Sequence, residues 1–376
     1  MKAKSIKGKS IQQIKSQLQQ CRIDGFKPTV CIVFVSIKHD RNELCKLLDD
    51  EGIAVFGATS NGEFVNEDVE QGTAALLLLD VNPQYFFIQY AELNGRDDKK
   101  ITRNLCKEAL EKFKKPAFIV AASNLQTDAE DFLKGFSEAA GDDVNVFGGM
   151  AGDDNSFTEQ YVFTNHSSGS RAIVNLVFDE EKIIIKGRAT SGWKAVGTEK
   201  TVTKSEGSRI YTIDNIPALD IALKFSGLSK DDENLPIELV TNFPFQLQRP
   251  NGNPLMRPPY RIHWEDHSLT TGGKVPEGSK IKFSLPPDFD VIEKVIHECE
   301  DLKATEMPVA DALIIFNCSG RMLTFGPLMS KEIEGVQNVW KVPLVGMFSN
   351  AELGRATNGK LEMHNLTTCC VVIKEK

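Results

Sequence analysis

The chain lacks any long apolar run, and this absence limits the kinds of protein it can be. Its 376 residues contain no uninterrupted stretch of 18 apolar residues, so we predict no membrane-spanning segment. The basic residues 1–9 are not followed by an apolar segment, which argues against a secretory signal. Positive charge is also scarce, with 44 Lys and Arg against 52 Asp and Glu and a net charge of −8. Nucleic acid is therefore not expected as a partner, because phosphate binding needs clustered cations.

Paired cysteines of the kind that hold metals are also missing. The eight cysteines form no CxxC pair, and Cys31, Cys369 and Cys370 lie in apolar runs. Free thiols buried in a reducing compartment explain this pattern, so we predict a cytoplasmic protein. Neither CxxCH nor HExxH occurs, which argues against covalently attached haem and against that type of zinc site. The 41% hydrophobic and 26% charged residues are typical of a globular protein, and the length predicts two to three domains.

One short motif is repeated along the chain. Residues 55–64 (VFGATSNGEF) and 344–353 (LVGMFSNAEL) share Gly, Ser, Asn and Glu at the same spacing, and residues 146–154 (VFGGMAGDD) open in the same way and end in acidic residues. Apolar runs precede each copy, at 30–35, 117–122 and 312–316, and others follow it, at 73–79, 172–178 and 368–373. The order strand, helix, strand, polar turn, strand therefore occurs three times, which predicts an internal repeat.

The remaining patterns predict the elements around these repeats. Residues 10–21 have the spacing of an amphipathic helix, and 72–79 with 85–90 are predicted to form a hairpin around the turn at 82–83. The polar segment 226–236 suggests a boundary, so we predict an N-terminal extension at 1–26 and domains at 27–225 and 226–376. The predicted fold is α/β to α+β, with mixed β-sheets covered by helices. We expect layers in the order helix, sheet, sheet, helix, and two halves related by a pseudo-two-fold axis.

The repeated turns are the first candidate for a binding site. Gly-rich turns after strands expose backbone N–H groups that suit an anionic ligand, although glycine also serves simply to allow a tight turn. Asp153 and Asp154 could bind a cation or an amine, or could cap neighbouring backbone instead. The predicted ligand-binding residues are Thr59, Ser60, Asn61, Glu63, Gly149, Met150, Asp153, Asp154, Trp193, Cys318, Arg321, Ser349, Asn350 and Glu352.

The segment Cys318-Ser-Gly-Arg321 is the most reactive-looking sequence in the chain. A neighbouring Arg321 could bind a carboxylate and lower the pKa of the Cys318 thiol. A cysteine nucleophile also needs a base, and the spacing assigns no histidine to it. A structural pair of Arg321 with Glu63 or Glu352 is the simpler alternative, so we predict no catalytic residues.

Histidines are the candidates for a haem ligand. His263 and His267 lie in an aromatic, Pro-rich segment with Tyr260 and Trp264, and His364 precedes the last predicted strand. Non-covalent haem b would need an axial ligand such as His or Cys, and these three histidines are the predicted candidates.

Five segments in order resemble the FIST family, which comprises paired N- and C-terminal FIST sensory domains of bacterial signalling proteins. They are 57–64, 147–154, the segment 192–203 with Gly192, Trp193 and Gly197, 316–321, and 346–354 with the trailing 364–367. The sequence departs from the family pattern at Ala58, where a small thiol is expected, and at Ala351, where glycine is expected. Loss of glycine makes a positive φ less favourable at Ala351, so its loop is expected to differ from the first.

The resemblance implies a function as well as a fold. Residues 27–225 would be the FIST N domain and 226–376 the FIST C domain. The protein would be a sensor, not an enzyme, that binds an amino acid, a carboxylate, or haem with nitric oxide. It would report to a signalling partner such as a histidine kinase or a cyclic-dinucleotide enzyme, as a monomer or a homodimer. A Cys-dependent enzyme and a scaffold without a ligand are the alternatives.

Overall fold

The protein is a mixed α/β structure, as its sequence predicts, and the residues that the structure describes form four β-sheets. The computed structural model describes residues 1–93, 95–123, 128–250 and 252–376. Within these ranges, none of the helices combines the length and the apolar character that crossing a membrane requires.

The first two structural units have the same order of elements. The first consists of β1 (Lys2–Gly8), α1 (Ile11–Arg22), β2 (Val30–Ser36), α2 (Arg41–Asp50), β3 (Ala54–Ser60), the hairpin β4 (Glu63–Val65) and β5 (Asp68–Glu70), and β6 (Ala74–Asp80). After a 3₁₀ turn at Pro83–Tyr85, the second consists of β7 (Phe86–Glu92), α3 (Asp98–Lys112), β8 (Pro116–Ala122), α4 (Ala129–Ala140), β9 (Val146–Met150), the hairpin β10 (Val162–Phe163) and β11 (Ser168–Gly169), and β12 (Ala172–Asp179).

The third unit is interrupted after its first strand, β13 (Ile183–Thr190), by an additional module. This inserted module comprises β14 (Ala195–Glu206), β15 (Arg209–Ile213), β16 (Ile216–Pro217), α5 (Ala218–Ser226), α6 (Leu235–Thr241), β17 (Phe245–Leu247), β18 (Leu255–Arg257), β19 (Pro259–His263), β20 (Ser268–Thr271) and β21 (Lys280–Ser284). The third unit resumes with α7 (Phe289–Thr305), β22 (Ala312–Cys318), α8 (Ser319–Phe325), a 3₁₀ turn at Gly326–Leu328, α9 (Met329–Trp340), β23 (Leu344–Ser349), the hairpin β24 (Glu352–Gly354) and β25 (Glu362–His364), and β26 (Thr368–Glu375).

Side-chain caps fix the starts of several helices. Ser10 accepts a hydrogen bond from the N–H of Gln13 at the start of α1, and Asp40 accepts from two N–H groups at the start of α2. Asp128 and Asp288 cap α4 and α7 in the same way. Each cap satisfies backbone donors that would otherwise have no partner in the first helical turn.

The three units exchange their hairpins in a cycle. The sheet orders are β1-β6-β2-β3-β10-β11, β7-β12-β8-β9-β24-β25 and β13-β26-β22-β23-β4-β5. Each unit therefore supplies four strands to its own sheet and donates its hairpin to the edge of another sheet. The first unit donates to the third, the third to the second, and the second to the first. A cycle of three units thus replaces the expected pseudo-two-fold pair of halves.

Alternating side chains divide the core into an inner layer and outer layers. Ile32 and Phe34 of β2 pack with Ile119 of β8 and with Ile314 and Phe316 of β22 in one central cluster. Intervening residues of the same strands point outward and pack under helices, in separate clusters for each unit. This alternation is the two-residue period of a strand buried on both faces. Three sheets around one core, with helices outside, replace the predicted stack of two sheets.

Two local predictions also need correction. The strands at Ala74–Asp80 and Phe86–Glu92 do not form a hairpin, because β6 pairs with β1 and β2 whereas β7 pairs with β12 in another sheet. The N-terminal residues include an edge strand, β1, that the alternation of lysine with small residues concealed. The predicted helix at 10–21 is confirmed as α1, and its apolar face packs on the first sheet.

Candidate functional site

The three repeated turns meet at one buried point, which we call the turn junction (Asn61, Asn350 and residues 151–153). The Nδ2 of Asn61 donates to the Oδ1 of Asn350 over 2.8 Å, and the Nδ2 of Asn350 donates to the carbonyl of Ala151 over 2.7 Å. The Oδ1 of Asn61 accepts from the N–H of Asp153 at 3.0 Å. The turns therefore bond to one another, so the space between them is occupied by their own side chains.

A buried glutamate follows the first turn and is held by two hydroxyl residues. The Ser60 hydroxyl bonds to one oxygen of Glu63, and the N–H and hydroxyl of Thr73 donate to the other at 3.0 and 2.9 Å. We call this set the first clamp (Ser60, Glu63 and Thr73). Burial raises the pKa of Glu63 to about 7, although these hydrogen bonds oppose the rise.

The third turn builds the same arrangement, the second clamp (Ser349, Glu352 and Thr367). Ser349 Oγ lies 2.7 Å from one oxygen of Glu352, and the Thr367 N–H and hydroxyl lie 3.3 and 2.8 Å from the other. Burial raises the pKa of Glu352 to about 8. The shared Ser and Glu of the repeat thus satisfy each other inside the protein.

The glycines of the repeat make room for donated aromatic rings. Gly57 in β3 faces Phe163 of the donated hairpin, and Gly346 in β23 faces Phe64. A Cβ on either glycine would lie within about 2.1 Å of a ring carbon. The turns do differ at the next glycine position, where Gly62 has φ 153° whereas Ala351 is not among the positive-φ residues.

The remaining predicted residues of the turns serve local contacts. Asp153 accepts from the N–H of Phe157 and of Thr158 and from the side chain of Gln160, so it organises its own loop. The Thr59 hydroxyl donates to the carbonyl of Gly152. Gly149 lies against the ring of Phe316, and Met150 is buried with its N–H donating to the backbone carbonyl of Ala351. The carboxylate of Asp154 accepts a hydrogen bond from the Ser36 hydroxyl and forms an ion pair with Lys38.

Cys318 and Arg321 do not form a reactive pair. Burial raises the pKa of the Cys318 thiol well above its usual value, which leaves the thiol protonated and unreactive. Arg321 is fully buried and forms an ion pair with Glu332, not with Glu63 or Glu352. Its Nη1 also donates to the carbonyls of Ser191 and Leu366 at 2.7 and 3.2 Å.

A cavity of about 320 Å³ lies beside the second clamp, between the three-unit body and the inserted module. Trp193 and His364, both predicted site residues, line it, as does Thr367 of the clamp. Its other lining residues are Ala189, Thr190, Ser191, Gly192, Lys194, Asn253, Pro254, Met256, Asp290, Lys294 and Ala356. This volume is at the small end of the range for ligand sites.

Trp193 connects this cavity to both parts of the protein. Its Nε1 donates to the carbonyl of Thr241 in α6 at 3.3 Å, and its own carbonyl accepts from Gln246 in β17 at 3.1 Å. On the body side, the guanidinium of Arg321 lies 5.2 Å from the centre of the Trp193 ring, a cation–π contact. A displacement of Trp193 would therefore change contacts in both the inserted module and the three-unit body.

The three candidate histidines are not brought together. His263 bonds to Thr270 at 2.8 Å, and His267 bonds to Asp220 at 2.8 Å, both in the inserted module. His364 is buried, and desolvation lowers its pKa to about 4, so it is neutral and donates its Nε2–H to the Gly354 carbonyl. Within the described residues, no three His, Cys, Asp or Glu side chains are grouped to hold a metal ion.

These surroundings do not fit haem b. Of the three histidines only His364 lines the cavity, and Lys194, Asp290 and Lys294 share its walls. The lining also includes the apolar Trp193, Pro254 and Met256, but the Nε2 of His364 is already bonded to the Gly354 carbonyl, and a cavity of about 320 Å³ is small for a haem macrocycle.

Several residues of the cavity and clamps were not predicted. Thr73 and Thr367 could have been predicted from equivalent positions, because each directly precedes the strand that follows the hairpin of its unit. Lys194, Asp290 and Lys294 carry no local sequence signal, since the insertion separates Lys194 from the other two by nearly a hundred residues. Glu332, the partner of Arg321, lies on a helix whose other charged residues are the exposed Lys331 and the half-buried Glu334, so its charge alone did not mark it as buried.

Comparison with known families accounts for most of the chain. The FIST N domain matches residues 29–216 and the FIST C domain matches residues 218–355. The two matched segments adjoin inside the inserted module. No curated protein matches the chain. FIST domains are sensory domains, which implies a role in signal transduction. Because the two matches cover most of its length in the expected order, this chain belongs to the FIST family.

Proposed function

We propose that the protein is a sensor whose ligand, a small carboxylate or an amino acid, binds in the cavity beside Trp193. The observation that carries this proposal is the position of the cavity, which is walled by the three-unit body on one side and by the inserted module on the other. A ligand at such a boundary contacts both parts, so its binding energy can favour one arrangement of them over another.

Two lysines are the candidates for binding an acidic group, and both are ion-paired in the free protein. Lys194 pairs with Asp288 at 3.0 Å and with Asp290, and Lys294 pairs with Glu298 at 2.8 Å. An ammonium group has three hydrogens to donate, so each lysine can bind a ligand carboxylate beside these partners. A ligand carboxylate would be attracted by the lysines and could accept hydrogen bonds from the hydroxyls of Ser191 and Thr367. An amino acid would add an ammonium group, which would share the Asp290 carboxylate with Lys194.

The inserted module is our candidate for the output of the signal. Trp193 bonds to α6 and β17 of that module, so a ligand against the indole would act on the module directly. We place the sensor in the cytoplasm, where its partner would be a signalling protein such as a histidine kinase or a cyclic-dinucleotide enzyme.

A ligand screen by thermal unfolding tests the proposal. We expect at least one member of a panel of amino acids and mono- and dicarboxylates to stabilise the protein, by about 2.7 kcal/mol at a hundred times its Kd. Lys194→Ala and Lys294→Ala each remove one cavity cation. In each variant, the ligand concentration that gives the same stabilisation should be at least ten times higher than in the wild-type protein.

Lys331→Ala is the matched control. Lys331 is an exposed lysine whose ion pair with Glu334, at 3.0 Å, lies outside the cavity lining. Its replacement should leave the response unchanged. The proposal fails if no compound stabilises the protein, or if the response of Lys194→Ala and Lys294→Ala equals that of Lys331→Ala.

A further inference from the structure

The second clamp holds a buried carboxyl group without a cation. Glu352 is fully buried, and its hydrogen-bond partners are the Ser349 hydroxyl and the N–H and hydroxyl of Thr367. In the part of the chain that the structure describes, Glu352 forms no ion pair. Burying a carboxylate without a counter-charge is costly, whereas burying a hydrogen-bonded carboxylic acid is not.

The hydrogen bonds of Ser349 indicate whether Glu352 is ionised or protonated. Ser349 Oγ lies 2.7 Å from Glu352 Oε1 and 3.2 Å from the backbone carbonyl of Asn317. Both neighbours are acceptors if Glu352 is ionised, but a hydroxyl has only one hydrogen to donate. If Glu352 carries a proton on Oε1, it donates to Ser349 Oγ, and the Ser349 hydrogen goes to Asn317. Every group then has a partner of the right kind.

We propose that Glu352 is a carboxylic acid in the free protein at neutral pH, and that a carboxylate bound in the cavity requires this proton to be in place. The inference rests on the proposed function, since it concerns the same cavity. Thr367 is the link, because it lines the cavity and also donates its hydroxyl hydrogen to Glu352.

The direction of the coupling follows from charge and from hydrogen-bond supply. An ionised Glu352 would repel a carboxylate in the adjacent cavity. A ligand carboxylate that takes the Thr367 hydroxyl hydrogen would also remove one donor from Glu352, which destabilises the ionised form further. Where Glu352 is ionised in the free protein, carboxylate binding must therefore take up one proton from solvent, which ends on Glu352.

Other charged and titratable groups around Glu352 do not account for the same pH range. Arg321 is bound to Glu332, which lies beyond Asn317 and Thr368. The thiols of Cys318 and Cys369 have a pKa raised well above the usual value, and His364, opposite Glu352 in the β24–β25 pair, has a pKa of about 4. The cavity itself adds Lys194, which pairs with Asp288 and Asp290, and Lys294, which pairs with Glu298.

The first clamp supplies a matched control. Glu63 has the same set of partners as Glu352, but neither Ser60 nor Thr73 lines the cavity. Glu63→Gln therefore removes an equivalent carboxyl group at a distance from the ligand, whereas Glu352→Gln imitates the protonated acid beside it.

Two measurements test the inference. First, the side-chain carboxyl carbons of glutamate are labelled with ¹³C and followed by NMR against pH, and the Glu352 signal is identified as the one missing from Glu352→Gln. Its midpoint should be near pH 8, because burial raises the pKa of Glu352 to about 8. A midpoint below pH 7 overturns the inference.

Second, the Kd for acetate is measured by titration between pH 6.5 and 9.5. Above pH 8 we expect the affinity to fall by up to roughly tenfold per pH unit in the wild-type protein and in Glu63→Gln. In Glu352→Gln the affinity should be independent of pH and close to the wild-type value at pH 6.5.

The outcomes separate this inference from the function on which it rests. Acetate binding that depends on Lys194 but has the same pH profile in Glu352→Gln as in wild type overturns the inference and leaves the sensor proposal intact. Acetate that fails to bind at any pH overturns the coupling, and the ligand panel then decides the proposed function separately.

Discussion

Glu332 and Glu352 are both fully buried and lie in the same unit, yet their carboxyl groups have different kinds of partner. Glu332 has Arg321 as an ion-pair partner and also accepts from Asn317 and Thr368. Glu352 has neutral donors alone. The first arrangement keeps the carboxylate charged, and the second favours a proton. Burial disfavours the charge of both acids, and the difference lies in whether a cation is present to offset that cost.

Removing Arg321 should have the largest effect on this comparison. Arg321→Met leaves Glu332 buried without a cation, and we expect it to lower the free energy of unfolding by about 3–5 kcal/mol. Adding Glu332→Gln removes the stranded charge and should recover part of the loss. Urea denaturation of the two variants measures both values, and equal stability of the single and double variants would show that the pair is not charged.

The second prediction concerns the pH dependence of stability. The pKa values of Glu63 and Glu352, about 7 and about 8, exceed their ordinary value, so the folded protein binds more protons than the unfolded chain above pH 4.5. Their contribution is complete below that pH and is lost as the pH rises through 7 and 8. Each group should lower the free energy of unfolding by up to about 1.4 kcal/mol per pH unit.

Glutamine at both positions should flatten this profile. Denaturation of wild type and of Glu63→Gln/Glu352→Gln at pH 5, 6, 7 and 8 compares the slopes. A double variant that loses stability as steeply as wild type would assign the pH dependence to other groups.

The smallest effect is expected from the threonine hydroxyls of the clamps. Thr73→Val and Thr367→Val each keep the shape of the side chain and remove one donor to the glutamate, for a loss of about 1 kcal/mol. Because the lost donor favours the ionised form, each change should also raise the pKa of its glutamate. Unfolding at pH 6 should then show a smaller loss than unfolding at pH 8, and the reverse order would contradict the assignment.

The repeat could be recognised in the sequence because the same residue types recur at a fixed spacing. Gly, Ser, Asn and Glu of the first and third turns are indeed equivalent in space, as the paired bonds of Ser60 to Glu63 and of Ser349 to Glu352 show. The apolar runs likewise predicted the central strands, because strands buried on both faces carry no competing pattern.

The hairpin exchange and the cavity could not be predicted from the sequence. Nothing near Phe64 indicates that its strand pairs with Gly346, because the pairing depends on contacts between distant segments. The turn residues suggested an open cleft, but their polar groups satisfy one another. The cavity forms from Trp193, Lys194 and residues far along the chain, and Trp193 and His364 were the two predicted residues that it includes.

The cyclic exchange of hairpins also constrains how the chain folds as it is synthesised. Strand β4 can pair with its sheet only after β23, far later in the sequence, has been made, and the second sheet is completed only after β24 has been made. Until then the hairpin of the first unit has no sheet to join, and the second sheet has an open edge that other chains can bind. The three units should therefore complete their folding together, after the third unit has been made, rather than one after another as they leave the ribosome.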